Sequence, residues 1–177
     1  SAVYWNRGYE PAAIARDKTL KAALTSEGIE VKSFNAALLN EPHTIANKQG
    51  RPFQVFTPYW RHCLTLPVAA PESCSARTFP APERWPVSVE LDECRLLPRI
   101  PWDQGLRDTW TPGEAGAARR LKAFVAGVMD RYADQRNFPG TAGTSMLSPH
   151  LHFGEIGPRQ IWAAVQALSA DSGVFPP

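Results

Sequence analysis

The chain has 177 residues, a formal net charge of +2 at pH 7 and 44% hydrophobic residues. This length suits one ordinary domain or two small ones, and the hydrophobic content is that of a globular protein rather than a disordered one. The charge is too small to identify a nucleic-acid partner, because extensive phosphate binding usually requires a concentrated basic surface.

The cysteines and the hydropathy restrict the class of protein further. Cys63, Cys74 and Cys94 are odd in number and lack CxxC spacing, so neither a disulfide framework nor a metal site is predicted. A reducing cytoplasm is the expected compartment, and no apolar run approaches the length of a membrane span. The abrupt first and last residues suggest an internal fragment of a longer protein.

The first third of the chain alternates strand and helix signals. Residues 3–6 form a short aromatic and β-branched run, and Pro11 begins a segment rich in Ala, Ile and Leu that extends to Ser26. Gly28 then precedes residues 29–31, which alternate as a strand does. This order predicts a βαβ unit and therefore a parallel sheet.

A second helix is predicted from Thr57, which would be its N-cap, with Pro58 in the first helical position. No GxGxxG motif follows either predicted strand, so the residues present do not support a glycine-rich dinucleotide site.

The composition becomes proline-rich between residues 71 and 108, and these residues are predicted to form a long connector. Disorder is one interpretation of such proline density. Apolar residues such as Trp85, Leu96, Ile100 and Trp102 instead favour a connector that packs against a folded surface, since disordered segments usually lack them.

Two helices are predicted in the last third. Thr111 and Glu114 have the spacing of a capping box, in which the threonine hydroxyl accepts the N–H of Glu114. The amphipathic helix that follows is predicted to end near residues 137–140. Gly157 and Pro158 mark the start of the second helix.

The stretch from residue 132 to residue 159 is unusually dense in hydroxyls, glycines and helix-start signals. Thr144, Ser145 and Ser148 can donate hydrogen bonds, and Gly143 would let the backbone approach a ligand closely. A phosphate-bearing ligand is the expected occupant. The alternative is structural: the two residues Thr144 and Ser145 would cap the next helix and Tyr132 would belong to the core.

Four separated motifs then carry a family resemblance: residues 3–11, 55–61, 110–114 and, most specifically, 143–160. In this order they resemble the DNA photolyase and cryptochrome family, most closely the class I cyclobutane-pyrimidine-dimer photolyases. The implied fold is α/β, a partial Rossmann-like parallel-sheet antenna domain, followed by a connector and the first helices of an all-α FAD-binding domain. The corresponding boundaries are residues 1–70, 71–108 and 109–177, with the helical domain truncated.

The resemblance also implies roles for individual residues. Glu10 matches the glutamate that holds an antenna chromophore, and Arg136 matches an arginine that contacts the DNA backbone. The alternatives are that Glu10 is a first-turn carboxylate and that Arg136 is a solvated cation favourable to the helix dipole. The residues implied to contact FAD are Tyr132, Thr144, Ser145, Met146, Leu147 and Ser148.

Two positions depart from the family pattern, and two histidines invite a different interpretation. Met146 stands where many photolyases have Arg or Lys, and Gly157 replaces the usual serine N-cap, at a cost of a few tenths of a kcal/mol. His150 and His152 are two residues apart on a predicted helix and would not face the same way, so they are not predicted to bind a metal.

By resemblance, the function is light-dependent repair of pyrimidine dimers in DNA by an electron from excited, fully reduced, non-covalently bound FAD. An antenna chromophore, methenyltetrahydrofolate or a deazaflavin, is also implied, and a monomer is expected. No residue of this chain acts as an acid, base or nucleophile in that reaction. The alternatives are a cryptochrome, which is a flavin photoreceptor, and a non-flavin α/β nucleotide-binding module.

Overall fold

The computed structural model describes residues 1–73, 78 and 80–172. The chain begins with strand β1 (Ala2–Asn6), helix α1 (Pro11–Ser26) and strand β2 (Glu30–Phe34). The two strands are parallel, with Ala2 opposite Glu30 and Asn6 opposite Phe34. Gly28 adopts a φ of 72° between α1 and β2, a backbone conformation that favours glycine. The predicted βαβ unit is confirmed.

A short 3₁₀ turn (Pro42–Thr44) and helix α2 (Phe56–Leu64) follow the sheet. The N-cap of α2 is Val55, and no side chain caps this helix. The predicted N-cap at Thr57 is therefore wrong by two residues, because the helix already includes Phe56 and the threonine lies inside its first turn.

The connector contains a 3₁₀ turn (Leu91–Cys94) and one short helix, α3 (Gln104–Thr109). Trp85, Ile100 and Trp102 are each more than 70% exposed, and Leu96 is 74% exposed. The expectation that these side chains pack against a folded surface is wrong in the described part of the connector. Cys74 lies outside the described residues.

The last third is helical, as predicted. It contains α4 (Glu114–Gly127), a 3₁₀ turn (Met129–Arg131), α5 (Tyr132–Gln135), α6 (Ser148–His152) and α7 (Pro158–Ser172). The single amphipathic helix expected up to residues 137–140 is interrupted at Val128, which leaves α5 as a separate short helix. No helix in the described residues is both long and apolar enough to cross a membrane.

The start of α4 is capped differently from the prediction, whereas the predicted start of α7 at Gly157 and Pro158 is confirmed. The N-cap of α4 is Gly113, with a φ of 94° and no side-chain hydrogen bond, so the predicted Thr111 capping box is wrong. Close packing explains the difference: a Cβ atom built on Gly116 would lie 1.8 Å from the carbonyl oxygen of Thr111. At α7, the Gly157 N–H donates to Oε1 of Gln160 at 2.7 Å, which is the glutamine half of a capping box.

A small core holds the helical region together. Ala117, Leu147 and Ile156 are buried and in contact, and Leu121 and Ile161 pack against them. Because the three buried residues come from α4, from the turn before α6 and from the loop before α7, the core fixes that turn next to α4.

Candidate functional site

The turn that carries the predicted ligand-binding hydroxyls rests on α5. A Cβ atom built on Gly143 would lie 2.5 Å from the carbonyl oxygen of Gln135. The Gly143 N–H donates to the carbonyl oxygen of Thr141 at 2.8 Å. The close approach that this glycine permits is therefore to α5, whereas the sequence interpretation assigned it to a ligand.

Three hydroxyls project from this turn and from the start of α6. Thr144 and Ser148 are exposed, and Ser145 is half-buried. None of these hydroxyls has a hydrogen-bond partner among the described residues. The N-cap of α6 is Leu147, which has no side-chain capping bond. The capping alternative for Thr144 and Ser145 is therefore wrong, and their hydroxyls are available to a ligand.

Met146 and Leu147 shape the turn itself. Met146 has a φ of 54°, in the left-handed region, and its carbonyl oxygen accepts a hydrogen bond from Nε1 of Trp110 at 3.3 Å. The side chain of Leu147 is only 2% exposed and belongs to the core. Any contact between Leu147 and a cofactor would therefore come from its backbone.

Tyr132 and Arg136 lie on and just after α5, the helix on which the turn rests. The Tyr132 ring is 39% exposed and meets the Phe124 ring edge to face, with the centroids 5.8 Å apart. The guanidinium carbon of Arg136 lies 5.8 Å from the centroid of the Tyr132 ring, within the range of a cation–π contact. The exposed Arg136 has no carboxylate partner in the described part of the chain. Tyr132 is thus partly accessible rather than a core residue.

Glu10 lies in the α/β region of the chain, where it is the N-cap of α1. It is exposed, and its side chain makes no capping bond. Beside it, Oη of Tyr9 donates to Oε1 of Glu41 at 2.6 Å, and Arg7 forms an ion pair with the same carboxylate. Arg7 also donates from Nη2 to the carbonyl oxygen of Ser33 at 2.7 Å, which ties this cluster to β2.

The Glu41 carboxylate is paired with both the Arg7 guanidinium and the Tyr9 hydroxyl. Burial, and then the hydrogen bond to Glu41, raises the pKa of Tyr9 to about 12. The hydrogen bond from Tyr9, followed by the Arg7 contacts, lowers the pKa of Glu41 below its usual range. This cluster could not be predicted from the sequence, because Glu41 is more than thirty residues from both of its partners and no local pattern links them.

A second pair, which was not predicted from the sequence, joins α6 to the loop that follows it. His150 is 1% exposed, and its Nδ1 lies 2.5 Å from Oε2 of Glu155. That hydrogen bond, and a second from the Gly113 N–H, lowers the pKa of Glu155. His152 is exposed and does not join the pair. In the described residues, no three potential metal ligands come together.

The chain is similar to known proteins over most of its length. Residues 1–83 match the family model for DNA photolyase. A deoxyribodipyrimidine photo-lyase of Agrobacterium fabrum is 41% identical over 168 residues, which cover 94% of this chain and 35% of that protein. Cryptochrome-1 of Arabidopsis thaliana is 35% identical over 173 residues, which cover 94% of this chain and 24% of the relative.

One solved structure is similar to this chain as well. A crystal structure described as a bacterial class III photolyase from Agrobacterium tumefaciens has a TM-score of 0.89 and 42% identity, covering 96% of this chain and 35% of that one. The chain spans about a third of the length of the Agrobacterium proteins that it matches. The sequence motifs, the parallel βαβ unit and these similarities agree: residues 1–83 match the DNA photolyase family model, and nearly the whole chain is similar to photolyases and cryptochromes.

Proposed function

We propose that this chain takes part in the light-dependent repair of cyclobutane pyrimidine dimers in DNA, and that the turn before α6 is one wall of an FAD site. The observation that carries the proposal is that the hydroxyls of Thr144, Ser145 and Ser148 have no hydrogen-bond partner within the described part of the chain. The 41% identity to a deoxyribodipyrimidine photo-lyase supports the repair reaction. The assignment to class I is still a prediction. A similar solved structure is described as a class III photolyase.

The residues of the turn suit a flavin dinucleotide. Hydroxyl donors form short, strong hydrogen bonds to anionic phosphate oxygens, and the buried Leu147 side chain anchors the turn in the core. The partly exposed Tyr132 ring offers an apolar face next to the turn. Met146 and Leu147 would contribute backbone groups. When bound, reduced flavin would supply the light-excited electron that splits the dimer, which side chains cannot supply.

The flavin role is tested with the full gene product and two variants. Thr144→Val combined with Ser148→Ala removes two phosphate donors from the exposed turn. Each charge-assisted hydrogen bond accounts for about tenfold in affinity, so FAD affinity should fall roughly a hundredfold in a fluorescence titration. Thr19→Val is the matched control, because its hydroxyl bonds only within α1. Unchanged FAD affinity in the double variant would exclude this turn from the flavin site.

We also propose that Arg136 contacts a DNA phosphate. Its guanidinium is exposed, lies over Tyr132 and has no carboxylate partner in the described chain, so it is free to form a two-point contact with a phosphate. Arg136→Gln should weaken DNA binding about equally for all sequences and reduce the salt dependence by about one counterion. Arg16→Gln is the control, since Arg16 already pairs with Asp17. An unchanged salt slope would argue against the contact.

For Glu10 we propose the antenna role, with methenyltetrahydrofolate or a deazaflavin as the chromophore. Support comes from its exposed carboxylate, which makes no capping bond beside the Arg7, Tyr9 and Glu41 cluster. Glu10→Gln should lower the yield of co-purified antenna chromophore, measured by absorbance, without changing flavin content. Glu27→Gln, at the far end of α1, is the matched control.

A cryptochrome is the second candidate, favoured by the 35% identity to Cryptochrome-1. The two functions are separated by illuminating the full gene product with dimer-containing DNA under blue light. Restoration of intact pyrimidines supports the photolyase, and no repair at saturating flavin supports a photoreceptor. A missing flavin absorption band would instead favour the non-flavin nucleotide-binding module. Size-exclusion chromatography tests the expected monomer.

A further inference from the structure

A cavity of about 700 Å³ lies between α3 and α6, and Trp110 is part of its lining. Its lining is mostly apolar but includes four ionisable side chains, Asp103, Arg107, His150 and Glu155. We call it the α3–α6 cavity; its lining includes Leu97, Leu106, Trp110, Phe153, Asp103 and His150. None of residues 144–148 lines it, so it is separate from the proposed flavin turn.

Two of these four side chains, Asp103 and His150, each have a buried polar atom without a hydrogen-bond partner in the described part of the chain. Among the described residues, Nε2 of His150 and Oδ1 of Asp103 have no hydrogen-bond partner. His150 is 1% exposed, so its ring nitrogen is fully removed from solvent. Native proteins rarely leave buried polar atoms unsatisfied, and the exceptions often mark a site for another molecule.

The other atoms of these side chains are already bonded, and this fixes what the free atoms can do. The Glu155 carboxylate accepts a hydrogen bond from Nδ1 of His150, so Nε2 is an acceptor in the neutral ring. Oδ2 of Asp103 accepts from Nε of Arg107 at 2.7 Å, which leaves Oδ1 as a second acceptor. The two unpartnered atoms are thus both acceptors, and they suit a ligand with two donors.

The walls indicate the shape of that ligand. Nε1 of Trp110 is already bonded to the Met146 carbonyl, so Trp110 offers only its ring to the cavity. Phe153 and Leu106 add apolar surface near the opening, where they are 74% and 53% exposed. Flat aromatic molecules pack well against such rings, and the volume is that of ordinary small-molecule sites.

We propose that the α3–α6 cavity binds a planar nitrogen heterocycle that donates N–H groups to His150 and Asp103. An amino-substituted purine or pyrimidine has this chemistry. The inference does not depend on the flavin assignment, because no residue of the flavin turn lines the cavity.

The test uses 2-aminopurine, whose fluorescence changes on stacking, titrated with the purified protein. Saturable binding is expected. His150→Asn should weaken it about tenfold, because asparagine can keep a bond to Glu155 but has no atom in place of Nε2. Leu106→Trp should also weaken it about tenfold by filling the cavity without touching the His150 bond. The matched control is Leu96→Trp, since Leu96 is 74% exposed and lies outside the lining.

Three results would overturn the proposal. The first is no saturable binding by the unmodified protein. The second is equal binding by Leu106→Trp and the unmodified protein, a comparison that stands even if His150→Asn does not fold. The third is stoichiometric displacement of 2-aminopurine by FAD, which would make the cavity part of the flavin site. Loss of flavin binding alone would contradict the proposed function and leave this proposal intact.

Discussion

Oε2 of Glu155 lies 2.5 Å from Nδ1 of His150. The pair therefore joins the short helix α6 to the loop before α7. Leu147, just before α6, and Ile156, in that loop, both belong to the core with Ala117. The pair thus helps to hold the proposed flavin turn in place.

Replacing Glu155 with glutamine should destabilise the protein and flatten its acid dependence. The folded-state pKa of Glu155 is lowered, first by the His150 hydrogen bond. Its contribution is therefore fully present above the ordinary carboxyl pKa of about 4.3 and is lost as the pH falls through the lower folded-state value. Urea unfolding at neutral pH and at about pH 3 measures both effects.

The control for this prediction is Glu83→Gln, at an exposed connector position. It should leave both unfolding curves close to those of the unmodified protein. An acid dependence that is unchanged in Glu155→Gln would show that the carboxylate does not stabilise the fold through His150.

The fold was predictable where a signal is local. Pro11 and the run up to Ser26 predicted α1 with the observed bounds, since proline at the first position and a helix-forming composition act within one segment. The caps of α2 and α4 were not predictable. The start of α4 depends on the positive φ of Gly113 and on the approach of Gly116 to Thr111, and residue spacing encodes neither.

Some features of the candidate site could also be predicted from the sequence, and others could not. The hydroxyls of Thr144 and Ser148 could be named from the sequence, because residue type alone supplies a donor. The bond between His150 and Glu155 could not be predicted from the sequence, since residues five apart do not lie on the same helix face. It forms because the chain reverses at Gly154, which has a φ of 71°. Long-range pairs such as Arg7 and Glu41 could not be predicted either, because no local sequence pattern links residues so far apart in the chain.

Gly143→Ala should destabilise the protein by about 1–3 kcal/mol, the range for an inserted methyl group that the surroundings must accommodate. The new Cβ would lie 2.5 Å from the Gln135 carbonyl oxygen, which is backbone and cannot rotate away. Gly140→Ala is the matched control, because a Cβ there would meet nothing within 4 Å. Chemical denaturation measures the free energy of unfolding of both variants. Equal values would mean that the turn does not rest on α5 as described.

Tyr9→Phe should cost about 1 kcal/mol at neutral pH by removing the hydrogen bond to Glu41. Burial and that bond raise the pKa of Tyr9 to about 12. Its stabilising contribution is present below the unfolded-state value of about 10 and is lost as the pH rises through the folded-state value. Denaturation curves from pH 8 to roughly pH 12 should therefore decline less steeply in Tyr9→Phe.

Tyr132→Phe is the comparison for Tyr9→Phe. It leaves Tyr9 and its bond intact, so it should retain the alkaline decline of the unmodified protein. If Tyr9→Phe declines as steeply as Tyr132→Phe does, another group is responsible for the loss of stability at high pH.

Leu147→Ala should destabilise the helical region by about 2–5 kcal/mol, the usual cost of removing a buried leucine side chain. Leu147 is 2% exposed and contacts the core between α4 and α7, so the surrounding residues cannot close the cavity completely. Leu151→Ala, on α6 and 37% exposed, should cost about 1 kcal/mol or less. Because Leu147 anchors the turn that carries Thr144 and Ser145, its loss should also weaken FAD binding at temperatures where the protein is still folded. A stable Leu147→Ala variant with normal flavin affinity would show that the turn holds its shape without the core.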